Sequence, residues 1–310
     1  MRELKVKFPK DANFCLSLTF DVEMVSRFPY WTSIWDHRKG SIDEGTKKYV
    51  EKLCDIAREY GVKLHFYVVG SAFEDEDISY LERVVKEGHS IGNHTYHHIN
   101  IKAKTFEQLQ ILYSRRPWLR GSFKSVGEVI QHEISMTNLA IKERLGVKAK
   151  GFRAPGCFHN GLKDVPEVQE ILMKEGFKFV STQYFVPIGH ERDVKSLENA
   201  VRVSLREAQP YRYPNGLVEL PIGFMTDVHA FRTLDLDLSI WLELLEFAVR
   251  YCNENKLIWN FCCHPALLAV KDPHCHTMRT ILEVATSSSV KCWICDNYEI
   301  WKLITHRVNG

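Results

Sequence analysis

The chain has 310 residues, of which 45% are hydrophobic and 26% charged, and this composition excludes a disordered protein. Its 41 basic and 39 acidic residues are mixed along the sequence and give a net charge of +2, which excludes the basic footprint of a nucleic-acid-binding protein. No run approaches the roughly 18 apolar residues of a membrane span, and no signal peptide is recognisable. We therefore expect a cytoplasmic protein without a membrane span, and the nine scattered cysteines agree, since an odd number is typical of reduced thiols.

Two apolar periods alternate along the chain. In residues 43–61 the period is helical, because Val50, Leu53 and Ala57 fall on one face and Gly61 is a typical stop residue. The predicted strands are residues 14–20, 62–69, 89–93, 149–153, 177–182, 217–222, 257–263 and 290–295. The further predicted helices are residues 78–88, 125–146, 166–176, 239–255, 277–286 and 297–305. The segment 183–216 shows little periodicity, and we predict a long loop there.

This alternation of strands and helices indicates the fold class. Strands separated by helices of about 10–20 residues imply right-handed crossovers and a parallel sheet, and this many consecutive units can close into a barrel. A doubly wound open sheet is the competing architecture, although no glycine-rich phosphate-binding motif follows the first strand. No repeat or low-complexity linker divides the chain, so we predict an α/β fold with one domain, residues 1–310.

Polar residues stand at the ends of five predicted strands. In a parallel barrel the reactive residues gather at the carboxyl ends of the strands, so these positions are the first candidates for a site. They are Asp21 and Glu23, the run from His94 to His98, Arg153, Glu219 and His264. We expect Glu219 to support the barrel rim rather than to take part in chemistry.

The segment GHSIGNHTYHH (88–98) is the strongest metal-binding candidate. His94 and His98 are four residues apart and would share one face of a helical turn, while His97 is a geometric rival. A carboxylate from the end of the first strand would complete a two-histidine, one-carboxylate set. Such a set suits zinc, cobalt, nickel, manganese or ferrous iron and leaves positions open for water and substrate.

Proton transfer needs further groups beside such an ion. A bound ion would polarise a carbonyl group and lower the pKa of bound water toward neutrality. A second carboxylate could then accept the proton of the water, and a further imidazole could give a proton to the leaving amine. Asp21 and His264 are the candidates for these two roles.

Five short motifs follow one another along the chain: TFDVE (19–23), LHFYVVG (64–70), GHSIGNHTYHH (88–98), GFRAPG (151–156) and FCCHPAL (261–267). In this order and spacing, over about residues 14–270, the chain resembles the polysaccharide deacetylases of carbohydrate esterase family 4. The corresponding family motifs are TFDDG, a strand ending in TFFV, GHEIGNH with H[ST]xxH, RxP, and a late histidine motif.

The resemblance implies a fold, an activity and a set of site residues. The fold is a distorted (β/α) barrel of seven to eight parallel strands, and the activity is metal-dependent removal of an acyl group from an amide nitrogen, usually the N-acetyl group of an amino sugar or polysaccharide. The cofactor is one divalent transition metal, with zinc the first candidate, bound by His94 and His98 and not by His97. Arg153 matches the residue that orients the base, and His264 matches the general acid.

The first motif departs from the family pattern. The family has two adjacent aspartates, a base followed by a metal ligand, whereas this chain has Asp21 and Val22. Alternate residues at a strand end point the same way, so Glu23 could be the ligand with Asp21 kept as the base. The alternative is Asp21 as the ligand, which leaves the base unassigned. Some intracellular relatives carry a similar pattern, so the substrate need not be a polymer.

The substrate side of the site is less defined in the sequence. Trp31 and Trp35, in an aromatic-rich loop after the first motif, could stack on a sugar ring or pack the loop. Pro155 lies in the same motif as Arg153 and is expected near the substrate. Asp227 and His229 follow the sixth strand and are expected to line the pocket.

Three functions are consistent with these residues. The first is hydrolysis of the linear amide of an amino sugar or another small amide substrate. The second is hydrolysis of a cyclic amide or ureide, or removal of an N-formyl group from a sugar. The third is glycan binding without turnover, by a protein that has lost its activity. We further expect that such a barrel associates into a homo-oligomer.

Overall fold

The computed structural model describes residues 7–9, 11–26, 39–109, 121–187 and 192–306. The strands in these residues are β1 (Phe14–Val22), β2 (His65–Val68), β3 (Ser90–Asn93), β4 (Phe152–Phe158), β5 (Phe179–Gln183), β6 (Tyr211–Arg212), β7 (Val218–Glu219), β8 (Ile258–Cys263) and β9 (Cys292–Cys295). The helices are α1 (Glu44–Glu59), α2 (Ser79–Lys86), α3 (Val126–Leu145), α4 (Pro166–Lys174), α5 (Val194–Glu207), α6 (Leu238–Asn255), α7 (Pro265–Lys271), α8 (His276–Ala285) and α9 (Asn297–His306). Short helical turns lie at Gly70–Glu74, Phe106–Leu109 and His229–Thr233.

The strands form one curled sheet in the order β6-β7-β5-β4-β3-β2-β1-β8. All neighbouring strands are parallel except β6 and β7, and β9 pairs in parallel with the first half of β1. The two ends of the sheet meet where the Gly223 amide donates a hydrogen bond of 3.1 Å to the Asn260 carbonyl oxygen. The predicted distorted (β/α) barrel of parallel strands is therefore confirmed.

Local sequence signals explain where the helices begin and end. Asp43 precedes α1, and its side chain accepts a hydrogen bond from the Thr46 amide, while Ser125 caps α3 through the Glu128 amide in the same way. Gly146 ends α3 with a φ of 68°, a conformation that favours glycine. These helices match the predicted ones closely because the capping residues are strong local signals.

The predicted loop at 183–216 is wrong, since it contains α5 and β6. Asp193 caps α5 by accepting a hydrogen bond from the Ser196 amide. Leu197, Val201 and Leu205, each four residues apart, form its buried stripe. These three positions form a helical period in the sequence itself, so the loop prediction missed a signal that was present.

Residues of β1 alternate between two environments, which places the acids at the barrel opening. Leu16, Leu18 and Phe20 belong to the main hydrophobic cluster under the helices. Thr19 and Asp21 instead contact Arg153 of β4, from which β1 is separated by β2 and β3. The contact therefore crosses the barrel interior, and the carboxyl end of β1 opens at the same end as that of β4.

The structure also bears on membrane-spanning helices and on the state of the cysteines. Across the described residues, none of the helices combines the length and apolar character that a bilayer crossing requires. All nine cysteines are free thiols, as predicted.

Candidate active site

Glu23 lies directly after β1 and meets two histidines. It is 2% exposed, and its Oε2 atom lies 3.0 Å from Nε2 of His94 and 2.7 Å from Nε2 of His98. Burial alone would raise the pKa of Glu23, but the neighbouring His98 and Lys39 lower it well below its usual range. The carboxyl group is therefore ionised at neutral pH.

The two histidines meet through a turn and not through the helical turn suggested by their spacing. After β3 the backbone of Thr95 and His98 adopts φ values of 58° and 56°. The Asn93 side chain stabilises this turn, because its Oδ1 accepts from the Thr95 amide and its Nδ2 donates to the Ile134 carbonyl of α3. As a result the rings of His94 and His98 lie 5.0 Å apart.

A hydrogen bond orients the ring of His94, and burial lowers the basicity of His98. Nδ1 of His94 lies 2.9 Å from the carbonyl oxygen of Arg153, which can only accept, so Nδ1 donates to it and Nε2 faces Glu23. Burial lowers the pKa of His98 to about 4, against a smaller opposite effect of Glu23. Both rings thus direct Nε2 toward the same carboxylate oxygen.

These three side chains fit a divalent transition metal. Their ligand atoms all lie within 4.8 Å of one another, and ligand bonds of about 2.0–2.2 Å to a common ion need such proximity. Two neutral imidazoles and one carboxylate are a donor set typical of zinc. Among the described residues, Asp21 is not a member of this group.

His97 turns away from His94 and His98. Its Nδ1 atom lies 2.7 Å from Oε1 of Glu133 in α3, and its amide donates to Oε2 of the same residue. Glu133 is completely buried. His97 therefore ties the histidine turn to α3.

Asp21 is paired with a buried arginine. Its Oδ1 lies 3.3 Å from a terminal nitrogen of Arg153, whose guanidinium stacks at 4.5 Å on the ring of Tyr67 and donates to Thr19 Oγ1 at 2.8 Å. Burial opposes the charge of Arg153, but Asp21 raises its pKa above the usual value. Gly92 leaves room for this stack, since a Cβ atom there would lie 2.4 Å from the Tyr67 ring.

His264 lies between Asp21 and Glu23, and Asp227 fixes its ring through the other ring nitrogen. Its Nε2 atom is 4.0 Å from Oδ2 of Asp21 and 3.8 Å from Oε1 of Glu23. Its Nδ1 atom lies 2.7 Å from Oδ1 of Asp227, whose other oxygen accepts from the His264 amide. Burial would lower the pKa of His264, but Asp227 raises it to about 9, so the ring is protonated at neutral pH.

These groups surround a cavity of about 370 Å³. Its lining residues are Asp21, Glu23, Lys39, His98, Ala154, Gly156, Cys157, Tyr184, Ile222, Thr226, Val228, His229, Thr233, Cys262 and His264. His229 lies in the wall as expected, and Pro155 is buried between two lining residues. Asp227 is completely buried and contacts His264. Trp31 and Trp35 lie outside the described residues.

Sequence reasoning missed several residues of the site. Cys262 donates a long hydrogen bond of 3.5 Å to Oδ2 of Asp21, and burial raises its pKa well above the usual value, so the thiol is neutral. Its position near the end of β8, two residues before His264, could have indicated this, because alternate residues of an extended chain share a face. Lys39 is a second missed residue, and no strand or helix pattern placed it beside Glu23.

Glu219 supports the rim of the sheet, as expected. The residue is completely buried in β7, where its oxygens accept from the Thr182 amide and hydroxyl, the Gln183 amide and the Tyr213 hydroxyl. This carboxyl group fastens β7 to β5, at a distance from the histidines.

The site combines a carboxylate and two imidazoles at the strand ends of a parallel barrel, and comparison with known proteins shows what this arrangement is similar to. A family model described as polysaccharide deacetylase matches residues 40–171, which include His94, His98 and Arg153. The chain is therefore similar to the polysaccharide deacetylase family over this segment, which is somewhat less than half of its length.

Two curated relatives match only part of this chain. The peptidoglycan-N-acetylmuramic acid deacetylase PdaA of Bacillus subtilis is 36% identical over 62 residues, which is 20% of this chain and 23% of that protein. The matched segments amount to only 30% and 23% of the lengths of the two curated relatives, both from Bacillus subtilis.

Solved structures share the whole fold at low identity. A Mycobacterium smegmatis structure assigned to polysaccharide deacetylase has a TM-score of 0.70 at 18% identity and covers 99% of this chain and 96% of its own. PuuE allantoinase has a TM-score of 0.65 at 13% identity, with coverage of 97% and 93%. Identities this low show a common fold, and the local chemistry has to be argued from this chain's own residues.

Proposed function

We propose that this protein is a metal-dependent hydrolase that removes an acyl group from an amide nitrogen, with the N-acetyl group of an amino sugar as the first candidate. The observation that supports this most directly is the convergence of Glu23, His94 and His98 beside Asp21 and His264 at one cavity. The match of residues 40–171 to the polysaccharide deacetylase family supports the same class of reaction.

Glu23, His94 and His98 would hold the ion, with zinc the first candidate. The chemistry that a divalent ion would supply there is Lewis acidity, which polarises a carbonyl group and makes water acidic. The chain provides two imidazole nitrogens and an ionised carboxyl group at one point. The Arg153 carbonyl keeps His94 in the tautomer that a ligand needs.

Asp21 is the proposed general base. One of its oxygens faces Arg153, and the other faces Cys262 and His264, so the second oxygen is available to a water molecule in the cavity. As the water oxygen attacks the carbonyl carbon, Asp21 accepts a proton from it. The buried charge of Arg153 keeps Asp21 oriented for this transfer.

His264 is the proposed general acid. It is protonated at neutral pH, and its Nε2 atom points between the two acids. When the bond between carbon and nitrogen breaks, this proton passes to the leaving nitrogen, which gives a free amine and a carboxylic acid. Asp227 fixes the ring through Nδ1 and leaves Nε2 for the transfer.

The size of the cavity supports a small substrate. A volume of about 370 Å³ lies at the lower end of the range of about 300–1,000 Å³ for small-molecule sites, and it suits one sugar ring better than several. For the same reason a small cyclic amide is the second candidate. Its hydrolysis would need the same base, acid and ion.

A product assay on the purified protein, loaded with zinc, tests the proposal. N-acetylglucosamine, its short oligomers, an N-formyl sugar and a cyclic ureide are incubated separately, and free acid, free amine and ring opening are measured. We expect acetate and amine in equal amounts from an N-acetylated sugar, with loss of product on chelation and recovery when zinc is restored. Ring opening alone would support the second candidate. Glycan binding without product from any substrate, at full metal content, would contradict hydrolysis.

A further inference from the structure

Lys39 places an ammonium group inside the proposed metal site. Its side chain is 3% exposed, and Nζ donates a hydrogen bond to Oε1 of Glu23. The same nitrogen lies 3.4 Å from Nε2 of His98. Lys39 therefore contacts the carboxyl group of one proposed ligand and the ligand nitrogen of another.

The backbone holds Lys39 in this place. The amide of Gly40, the next residue, donates a hydrogen bond of 2.7 Å to the carbonyl oxygen of Glu23. Gly40 has a φ of 92°, and a Cβ atom there would lie 2.0 Å from Oγ of Ser71, so a larger residue would move the turn. The backbone of Lys39 is thus fixed beside Glu23. Its long aliphatic side chain allows Nζ to move without a change in the backbone.

An ammonium group and a divalent ion compete for the space beside these ligand atoms. Nζ donates to Oε1 of Glu23 and lies 3.4 Å from Nε2 of His98, the nitrogen that an ion would need. Two positive charges a few ångströms apart in a buried site repel each other strongly. For either cation alone, however, the same carboxylate is a favourable partner, and a buried carboxylate without one is destabilising.

We propose that Lys39 is an internal cation that exchanges with the metal ion, so that binding of the ion requires Nζ to leave Glu23 and His98. This inference rests on the proposed function, because that function assigns the three ligands. Lys39 then has two consequences. It stabilises the protein in the absence of the ion, and it weakens the affinity for the ion by the free energy of its own displacement.

Substitution of Lys39 by methionine separates these consequences, because methionine keeps much of the volume and removes the charge. We expect Lys39→Met to bind zinc about 10- to 100-fold more tightly than the natural chain, measured by competition with a chromophoric chelator. The metal-free variant should melt at a lower temperature than the metal-free natural chain, and zinc should raise its melting temperature by a larger amount. Lys102→Met is the matched control, because Lys102 also donates to a carboxylate, that of Asp164, away from the site. This control variant should leave the zinc affinity unchanged.

Equal or weaker zinc affinity in folded Lys39→Met would overturn the inference. If this variant does not fold without metal, it is purified with zinc and the rate of zinc loss to excess chelator is measured instead. Slower loss than from the natural chain supports the exchange, and equal or faster loss contradicts it. If the natural chain and Lys39→Met both bind no zinc, the proposed function fails as well. If both bind it equally and the natural chain hydrolyses amides, only the role of Lys39 fails.

Discussion

Replacement of both His94 and His98 by alanine should remove the bound metal and lower kcat/KM by about 10³-fold or more. The two rings supply two of the three proposed ligand atoms, and Glu23 alone cannot hold a transition ion against water. Metal content by elemental analysis and acid release by product assay are measured on the same preparation. A folded double variant that keeps both its metal and its activity would show that the ion, if any, binds elsewhere.

His97→Ala is the matched control for this experiment. His97 belongs to the same segment, but its ring bonds to Glu133 of α3 and faces away from the proposed ligands. We expect this variant to keep a full equivalent of metal. Because the side chain ties the turn to α3, a modest loss of stability of about 1–3 kcal/mol should accompany the change, since Glu133 is left buried with fewer partners.

The second large effect concerns the two acids of the first motif. Asp21→Asn should lower kcat by about 10²–10⁴-fold while metal is retained, because an amide cannot accept the proton of the attacking water. Glu23→Gln should instead lose the metal, because an amide is a poor ligand for such an ion. Metal content and kcat of both variants, measured side by side, therefore assign the two roles independently.

Stability has to be measured with these variants. Asp21→Asn leaves the buried Arg153 without its counter-charge, and the loss of one partner of such a pair costs about 3–5 kcal/mol. Activity is therefore compared at a temperature at which circular dichroism shows each variant to be folded. Retention of metal by Glu23→Gln together with its loss from Asp21→Asn would reverse our assignment.

Much of the fold could be predicted because its signals are local. Periodic apolar residues and caps such as Asp43 and Ser125 defined α1 and α3, and the order of elements implied a parallel sheet. Helix α5 was missed although Leu197, Val201 and Leu205 recur at helical spacing, because the segment QPYRYPNG (209–216) that follows it is typical of a loop.

The residues of the candidate site that lie at strand ends were predictable from the sequence. Because the carboxyl ends of parallel strands meet, Asp21, Arg153 and His264 were expected together, and the structure brings them together. The geometry of the histidine turn was not predictable, since it depends on positive φ values and on contacts with α3.

The partners of site residues were harder to predict than the residues themselves. Asp227 was expected in the pocket wall and instead lies buried behind His264, because a distant segment brings it there. Lys39 enters the site from a loop, where no periodic pattern indicates the direction of a side chain. Such contacts arise from the closure of the barrel and have no local signature.

A crystal structure of the zinc-loaded protein, with anomalous diffraction recorded above and below the zinc absorption edge, tests the central claim most directly. We expect one strong anomalous peak in the cavity, about 2.0–2.2 Å from an oxygen of Glu23 and from Nε2 of His94 and of His98, with Asp21 outside bonding distance. A peak bonded to Asp21 and not to Glu23, or the absence of a peak at these three side chains in zinc-saturated protein, would contradict the account.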